Sequence, residues 1–196
     1  MGTITKSPIE KFPVKFNFSP DLITGETITT KTVTCVSAAT GISSAATIID
    51  SEAIVDSEVV VVLRAGTEGD EHNIQSVITT NLGNVYQRDL LLVIQKVIDD
   101  SFSKQPSDKI LFDVDFSRRL EAGDPVSSGA ILVTKESDGT DVSTTVAPSV
   151  EVVTPKIGVY VAVGSDGETY LLGVRGTTVA GYVYEKNIRM SVQELP

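Results

Sequence analysis

Few residues in this chain have the chemistry to build a reactive centre. His72 is the only histidine and Cys35 the only cysteine. A Ser-His-Asp relay would have to run through His72, because imidazole is the side chain that exchanges a proton near neutral pH. Its surroundings, Glu68 to Asn73, are charged and turn-like, so a surface or strand-end histidine is the expectation. One Cys and one His do not supply the three or four ligands that zinc takes. Cys35 has no partner for an intrachain disulfide, and the residue aligned with it 98 positions on, Val133, is apolar, so a buried, inert thiol is expected.

Carboxylates are plentiful: Asp70 with Glu71, Asp99 with Asp100, Asp113 with Asp115. Asp113 and Asp115 would share one strand face, whereas a glycosidase holds its two carboxyl groups across a cleft. A solvated strand face is therefore expected there. The stretch Ser137-Asp138-Gly139-Thr140-Asp141 loosely follows a calcium loop but lacks the third acidic position and the closing Glu, so it is expected to be a polar turn. None of the Gly-rich turns precedes a helical pattern, so no phosphate cradle is expected. The expectation is no catalytic, metal-binding or cofactor-binding residue, and no cofactor.

The elements that would have to position any site come in two copies. Displaced by 98 residues, the chain aligns with itself without a gap. Phe18-Ser19 fall on Phe116-Ser117, Leu22 on Leu120, Gly25 on Gly123, and Gly66 and Gly69 on Gly164 and Gly167. Thr79-Thr80 fall on Thr177-Thr178, Gly83 on Gly181, Val85-Tyr86 on Val183-Tyr184, and Gln95 on Gln193. The candidate chemistry does not repeat: His72 aligns with Tyr170, Cys35 with Val133, and Asp113 and Asp115 with Lys15 and Asn17. Two domains follow, 1–98 and 99–196, each long enough to close its own core. The boundary falls in the polar stretch 97–107. Phe102 is its exception, placed either between the domains or in the second domain's first strand.

Strand patterning dominates both copies. Phe12, Val14, Phe16 and Phe18 alternate with Pro13, Lys15 and Asn17, and Ile110, Phe112, Val114 and Phe116 do the same. Residues 27–36 are mostly β-branched, 59–63 and 157–163 are apolar runs, and 85–95 and 182–193 close each copy. The turns around Gly25, Gly66–Gly69 and Gly83 recur around Gly123, Gly164–Gly167 and Gly181, and the last two of each set are expected to close hairpins. A helix over 88–100 is rejected because the aligned segment alternates like a strand and ends in Pro196. About seven short strands per copy predict an all-β fold: two tandem immunoglobulin-like antiparallel β-sandwich domains.

Composition sets the partners. With 41% hydrophobic and 21% charged residues, folded domains are expected rather than disorder. The net charge of −10 is spread over both halves with no basic stripe, so nucleic acid and anionic membranes are not expected partners. The first residues, MGTITKSPIEK, carry no apolar signal core. Lys6 stands where N-myristoylation wants Ser or Thr, and no run is long enough to span a bilayer. A soluble protein made in a reducing cytoplasm is expected.

The repeated motif has a known likeness. It runs FDVDFSRRLEAGDPV (112–126) and GSDGETYLLGVRGTTVAGYVYEKNIRMSV (164–192) in the second copy, and FNFSPDLITGETI (16–28) and GTEGDEHNIQSVITTNLGNVYQRDLLLVI (66–94) in the first. This resembles small phage virion proteins, the fibre–tail adaptors. Phe18 and Phe116 stand where that family typically has Trp, and Gly83-Asn84 and Gly181-Tyr182 where it has Gly-Arg. The resemblance implies a non-enzymatic bacteriophage virion structural protein that links tail fibres or appendages to the head–tail connector region. Its partners would be other virion proteins, namely the head–tail connector or capsid and the fibre, with multiple copies in a symmetric assembly. Two other functions compete with it. One is a capsid decoration protein. The other is a carbohydrate-binding surface module using Tyr182 and Tyr184 as a small platform, although strand packing is the simpler role for that pair.

Overall fold

A computed structural model of the chain describes residues 2–194; Pro196, which argued against a terminal helix, lies outside them. Packing divides the chain into two units, the first ending at Lys96 and the second beginning at Val97. The first contains β1 (Gly2–Lys6), β2 (Phe12–Asn17), β3 (Ile28–Ser37), α1 (Ala45–Ile48), β4 (Ile49–Val55), β5 (Glu58–Leu63), β6 (Glu71–Thr80) and β7 (Val85–Ile94). The second contains β8 (Ile98–Lys104), β9 (Ile110–Asp115), β10 (Val126–Lys135), α2 (Ser143–Val146), β11 (Ser149–Val153), β12 (Lys156–Val161), β13 (Thr169–Thr178) and β14 (Val183–Val192). Most elements of the second unit sit at the positions of the first plus 98; β8 and β11 differ at their starts.

Each unit stacks a four-stranded sheet on a three-stranded one. The orders are β1-β7-β6-β3 with β2-β5-β4, and β8-β14-β13-β10 with β9-β12-β11. Seven strands in this arrangement form an immunoglobulin-like sandwich, so the chain is all-β with two such domains. Alternation drives the layering. In β6, His72, Ile74, Ser76, Ile78 and Thr80 face inward while Asn73, Gln75, Val77 and Thr79 face outward. The first core gathers Phe16, Phe18, Cys35, Ile48, Leu63 and Ile74 among others. Its counterpart buries Val114, Phe116, Val133, Ile157, Leu172 and Met190. Phe18 and Phe116 are fully enclosed, so Phe fills this core position in both copies.

Three features depart from the sequence expectations. The turns 66–69 and 164–167 are not hairpins. The strands they join, β5 with β6 and β12 with β13, belong to different sheets, so each turn carries the chain across the sandwich. Gly66 has φ +120°, and a Cβ there would come within 2.9 Å of Ile94 Cδ1. At Gly164 a Cβ would come within 2.6 Å of Val192 Cγ2. These glycines are required by close passage over the last strand rather than by a two-residue turn.

The second departure is that the sandwiches are not wholly antiparallel. β1 runs parallel to β7, pairing Gly2 with Leu90 through Lys6 with Ile94, and β8 runs parallel to β14. Phe102 belongs to β8, opposite Met190, and stacks on Phe112 with ring centroids 4.8 Å apart. Thirdly, residues 38–58 hold a four-residue helical turn and β4, which have no clear periodicity in sequence. No helix among the described residues is long and apolar enough to cross a membrane.

Candidate functional site

His72 is not a surface residue. It stands second in β6, faces the core, and is only 5% exposed. Its Nδ1 shares a hydrogen bond of 2.9 Å with Ser44 Oγ, and that hydroxyl lies 3.3 Å from Cys35 Sγ. Nε2 is buried with no partner among the described residues. Burial holds the imidazole below its ordinary pKa. Asp70 offsets part of that effect and Lys6 adds to it. Burial also raises the Cys35 thiol, against a smaller opposing effect of the Ser44 bond. A serine therefore meets a histidine here, but neither imidazole nitrogen bonds a carboxylate that would orient it. The second domain shares none of this. Val142 replaces Ser44, and the buried Tyr170 accepts a hydrogen bond from Ser165 N at 3.0 Å.

The carboxylates mostly tie down backbone. Asp99 Oδ2 accepts from Asn187 N, and Asp100 Oδ1 from Ser101 N, each at 2.8 Å. Asp115 Oδ1 accepts from Ser117 N at 2.8 Å, a bond that lowers its pKa, while Asp113 lies 3.7 Å from Lys156 Nζ. In the calcium-like stretch, Asp138 Oδ1 accepts from Thr140 N, and Asp141 Oδ1 accepts from both Ser143 N and Ser143 Oγ. These bonds hold both carboxyls below their ordinary pKa. No group of three or more potential metal ligands occurs among the described residues. Tyr182 and Tyr184 do not form a platform. Tyr184 is buried, its phenol pushed up to about 12 by that burial, with the Arg119 guanidinium 5.4 Å from its ring centroid.

Two constellations escaped the sequence-based expectations, although recurrence after 98 residues would have flagged both. The first follows the opening strand: Lys6-Ser7-Pro8-Ile9-Glu10 and Lys104-Gln105-Pro106-Ser107-Asp108. The carboxylate closes the turn, with Ser7 N donating to Glu10 Oε2 and Gln105 N to Asp108 Oδ2. The lysine is buried; Lys6 Nζ donates to Ser7 O and Ala65 O, and Lys104 Nζ to Gln105 O. Burial lowers the Lys104 pKa.

The second constellation clasps two loops at one end of each sandwich. In the first domain Glu26 accepts from Thr80 Oγ1 (2.6 Å), Asn84 Nδ2 (2.8 Å) and Ile23 N (3.1 Å), which together hold its carboxyl below its ordinary pKa. In the second, Asp124 Oδ1 accepts from Ala180 N while Oδ2 is buried without a partner among the described residues. Each carboxylate fixes the loop before β3 or β10 to the hairpin ending β6 or β13. These bonds tie the turns and loops of each sandwich to its strands.

Comparison with known proteins agrees with that picture. A family model described as podophage GP4 fiber-tail adaptor protein gp77 matches the chain twice, over residues 6–93 and 104–191. No curated protein matches its sequence. Among solved structures it is similar to a chimeric titin Z1Z2 carrying an exogenous decorin peptide, at 8% identity, covering 99% of this chain and 94% of that one, with a TM-score of 0.36. It is similar also to the N-terminal Ig1-2 module of the Drosophila receptor protein tyrosine phosphatase DLAR, at 10% identity, covering 98% and 95%, with a TM-score of 0.31. The fold itself rests on the strand order. Matched in both halves, in the same register that aligns its own copies, the chain belongs to the podophage fiber-tail adaptor family, with the family unit present in tandem.

Proposed function

We propose that this phage tail adaptor is a non-enzymatic virion component that links tail fibres or appendages to the head–tail connector region. Several copies would act in one symmetric assembly. The observation that carries this reading is the doubled family match. Two sandwiches on one chain offer two sets of surfaces. Their cores and turns are kept, while exposed positions differ: Lys15 against Asp113 and Ala53 against Glu151. That divergence suits two unlike partners, the connector or capsid for one domain and the fibre for the other. The lone Ser44–His72 pair supports the non-enzymatic reading, because it lacks an orienting carboxylate and its geometry is absent from the second copy.

The test is a particle assembled without this protein. Loss of fibres from otherwise complete particles is expected, and particles that keep their fibres would rule out the adaptor role. Copy number separates the adaptor from a shell decoration protein. A ring around the tail implies about six or twelve copies, whereas coverage of the capsid implies hundreds.

A further inference from the structure

The outer face of the sheet β9-β12-β11 differs from its counterpart in the first domain in a directed way. Register places Ser149, Tyr160 and Leu111 in one row across the three strands, and Glu151, Gly158 and Asp113 in the next. Leu111 is 62% exposed and Tyr160 38%, so two large apolar groups stand together in solvent. Gly158 interrupts the face beneath them. Lacking a side chain, it leaves a concavity of about 340 Å³ walled by Leu111, Tyr160, Glu151 and Ser149. A Cβ at Gly158 would already lie 3.2 Å from Leu111 Cδ1 and 3.6 Å from Asp113 Oδ1.

Carboxylates flank the notch on both neighbouring strands. Two strand spacings separate them, about 10 Å, a gap that one cation can occupy with both acids in reach. Glu151 has no partner among the described residues, and Asp113 has only the long, half-exposed contact to Lys156, a pairing worth little in water. In the first domain, Pro13 and Val62 replace Leu111 and Tyr160, Val60 fills the notch, and Lys15 and Ala53 replace the two acids. The shape and the charge of this face are therefore both peculiar to the second copy.

We propose that this face docks the second domain onto another virion protein by receiving a Lys or Arg side chain over Gly158, between Asp113 and Glu151. The alkyl stem of that side chain lies on Leu111 and its cationic head meets the Tyr160 ring and the acids. Aromatic and carboxylate groups around one apolar notch favour a cation carried on a long hydrocarbon stem over any other side chain. Charge complementarity of this kind sets specificity and encounter rate, and the first domain, with Lys15 and Ala53 in place of the two acids, does not offer it.

The proposal rests on the virion role, and its test separates the two. Carbodiimide with glycine ethyl ester labels exposed carboxylates. The purified full-length chain and intact particles are labelled in parallel, and mass spectrometry of the particle reports whether the protein is present. The expected result is that Asp113 and Glu151 label readily in the free chain and are protected in the particle. Equal labelling in both, with the protein present, overturns the docking face and leaves the adaptor role standing. Absence from the particle overturns both. Protection by a second copy of this chain, seen as a cross-link between two identical sequences, also overturns the proposal. As a genetic arm, phage carrying D113K with E151K should incorporate the protein about tenfold less or lower, with unchanged melting of the purified variant. Normal incorporation of that variant overturns the proposal.

Discussion

His72 shows how little of a residue's role is carried by its identity. In sequence it sits among charged neighbours. In the fold it points inward because β6 alternates, and its partner Ser44 comes from a loop 28 residues earlier. That pairing depends on how the segment after β3 folds back, where Ser44 N bonds Cys35 O, and no local pattern announces it. The consequence is a pH dependence. Burial lowers the folded-state pKa of His72, with Asp70 opposing and Lys6 assisting, so between that value and about 6.5 the unfolded chain binds the proton that the folded chain resists. The stabilisation is thus complete above about pH 6.5 and is lost as pH falls below it. The slope cannot exceed about 1.4 kcal/mol per pH unit, the limit for one proton. Urea unfolding of the first domain at pH 7.5 and pH 5.5 measures it. The acid-side loss should shrink in His72→Gln, and an unchanged loss would assign the effect to other groups.

Strands were legible wherever one face is buried. The alternation of Phe12, Val14 and Phe16, and the apolar run of β5, mark elements whose inward side chains the structure packs into the core, Phe12 and Phe16 buried and Val14 partly so. Which sheet a strand joins was not legible. The four residues from Gly66 to Gly69 have hairpin chemistry, yet they carry the chain between sheets, because β6 pairs with β3 and β7 instead of with β5. The opening strands left little trace in sequence for a related reason, with Phe102 the one residue that pointed to either of them. Gly2–Lys6 and Ile98–Lys104 are short and mostly exposed, and only the edge of β7 or β14 gives them a place. Crossing the sandwich imposes a test on the two equivalent glycines. Gly164→Ala drives a methyl into Val192 and should cost about 1–3 kcal/mol through overpacking. Gly66→Ala meets Ile94 and also forces a side chain onto left-handed backbone, so about 2–4 kcal/mol is expected. Thermal unfolding of each variant reads the loss. If both behaved like wild type, the turns would not press on the last strands as described.

At the scale of the whole molecule, duplication explains why the scaffold was easier to read than the contact surface. Core and turn residues are constrained twice, so comparison of the copies resolves ambiguities such as the helical reading of 88–100, where β7 and β8 run instead. Surface residues are not so constrained, and the row Glu151, Gly158 and Asp113 becomes visible only when three strands are laid side by side. Every strand finds its partners within its own unit, and each unit closes its own pair of sheets. We therefore propose that the two halves fold independently, divided not at 98/99, which would split β8, but between Lys96 and Val97, where a cut spares both β7 and β8. Each half expressed alone should give a β-rich circular dichroism spectrum and a cooperative transition, and the two spectra should sum to that of the full chain. Gly164→Ala should then lower only the transition assigned to the second half, since sites without shared partners act additively. A half that stays unfolded alone, or a substitution that shifts both transitions together, would mean that the repeat is one cooperative body and that a partner grips the pair rather than each domain by itself.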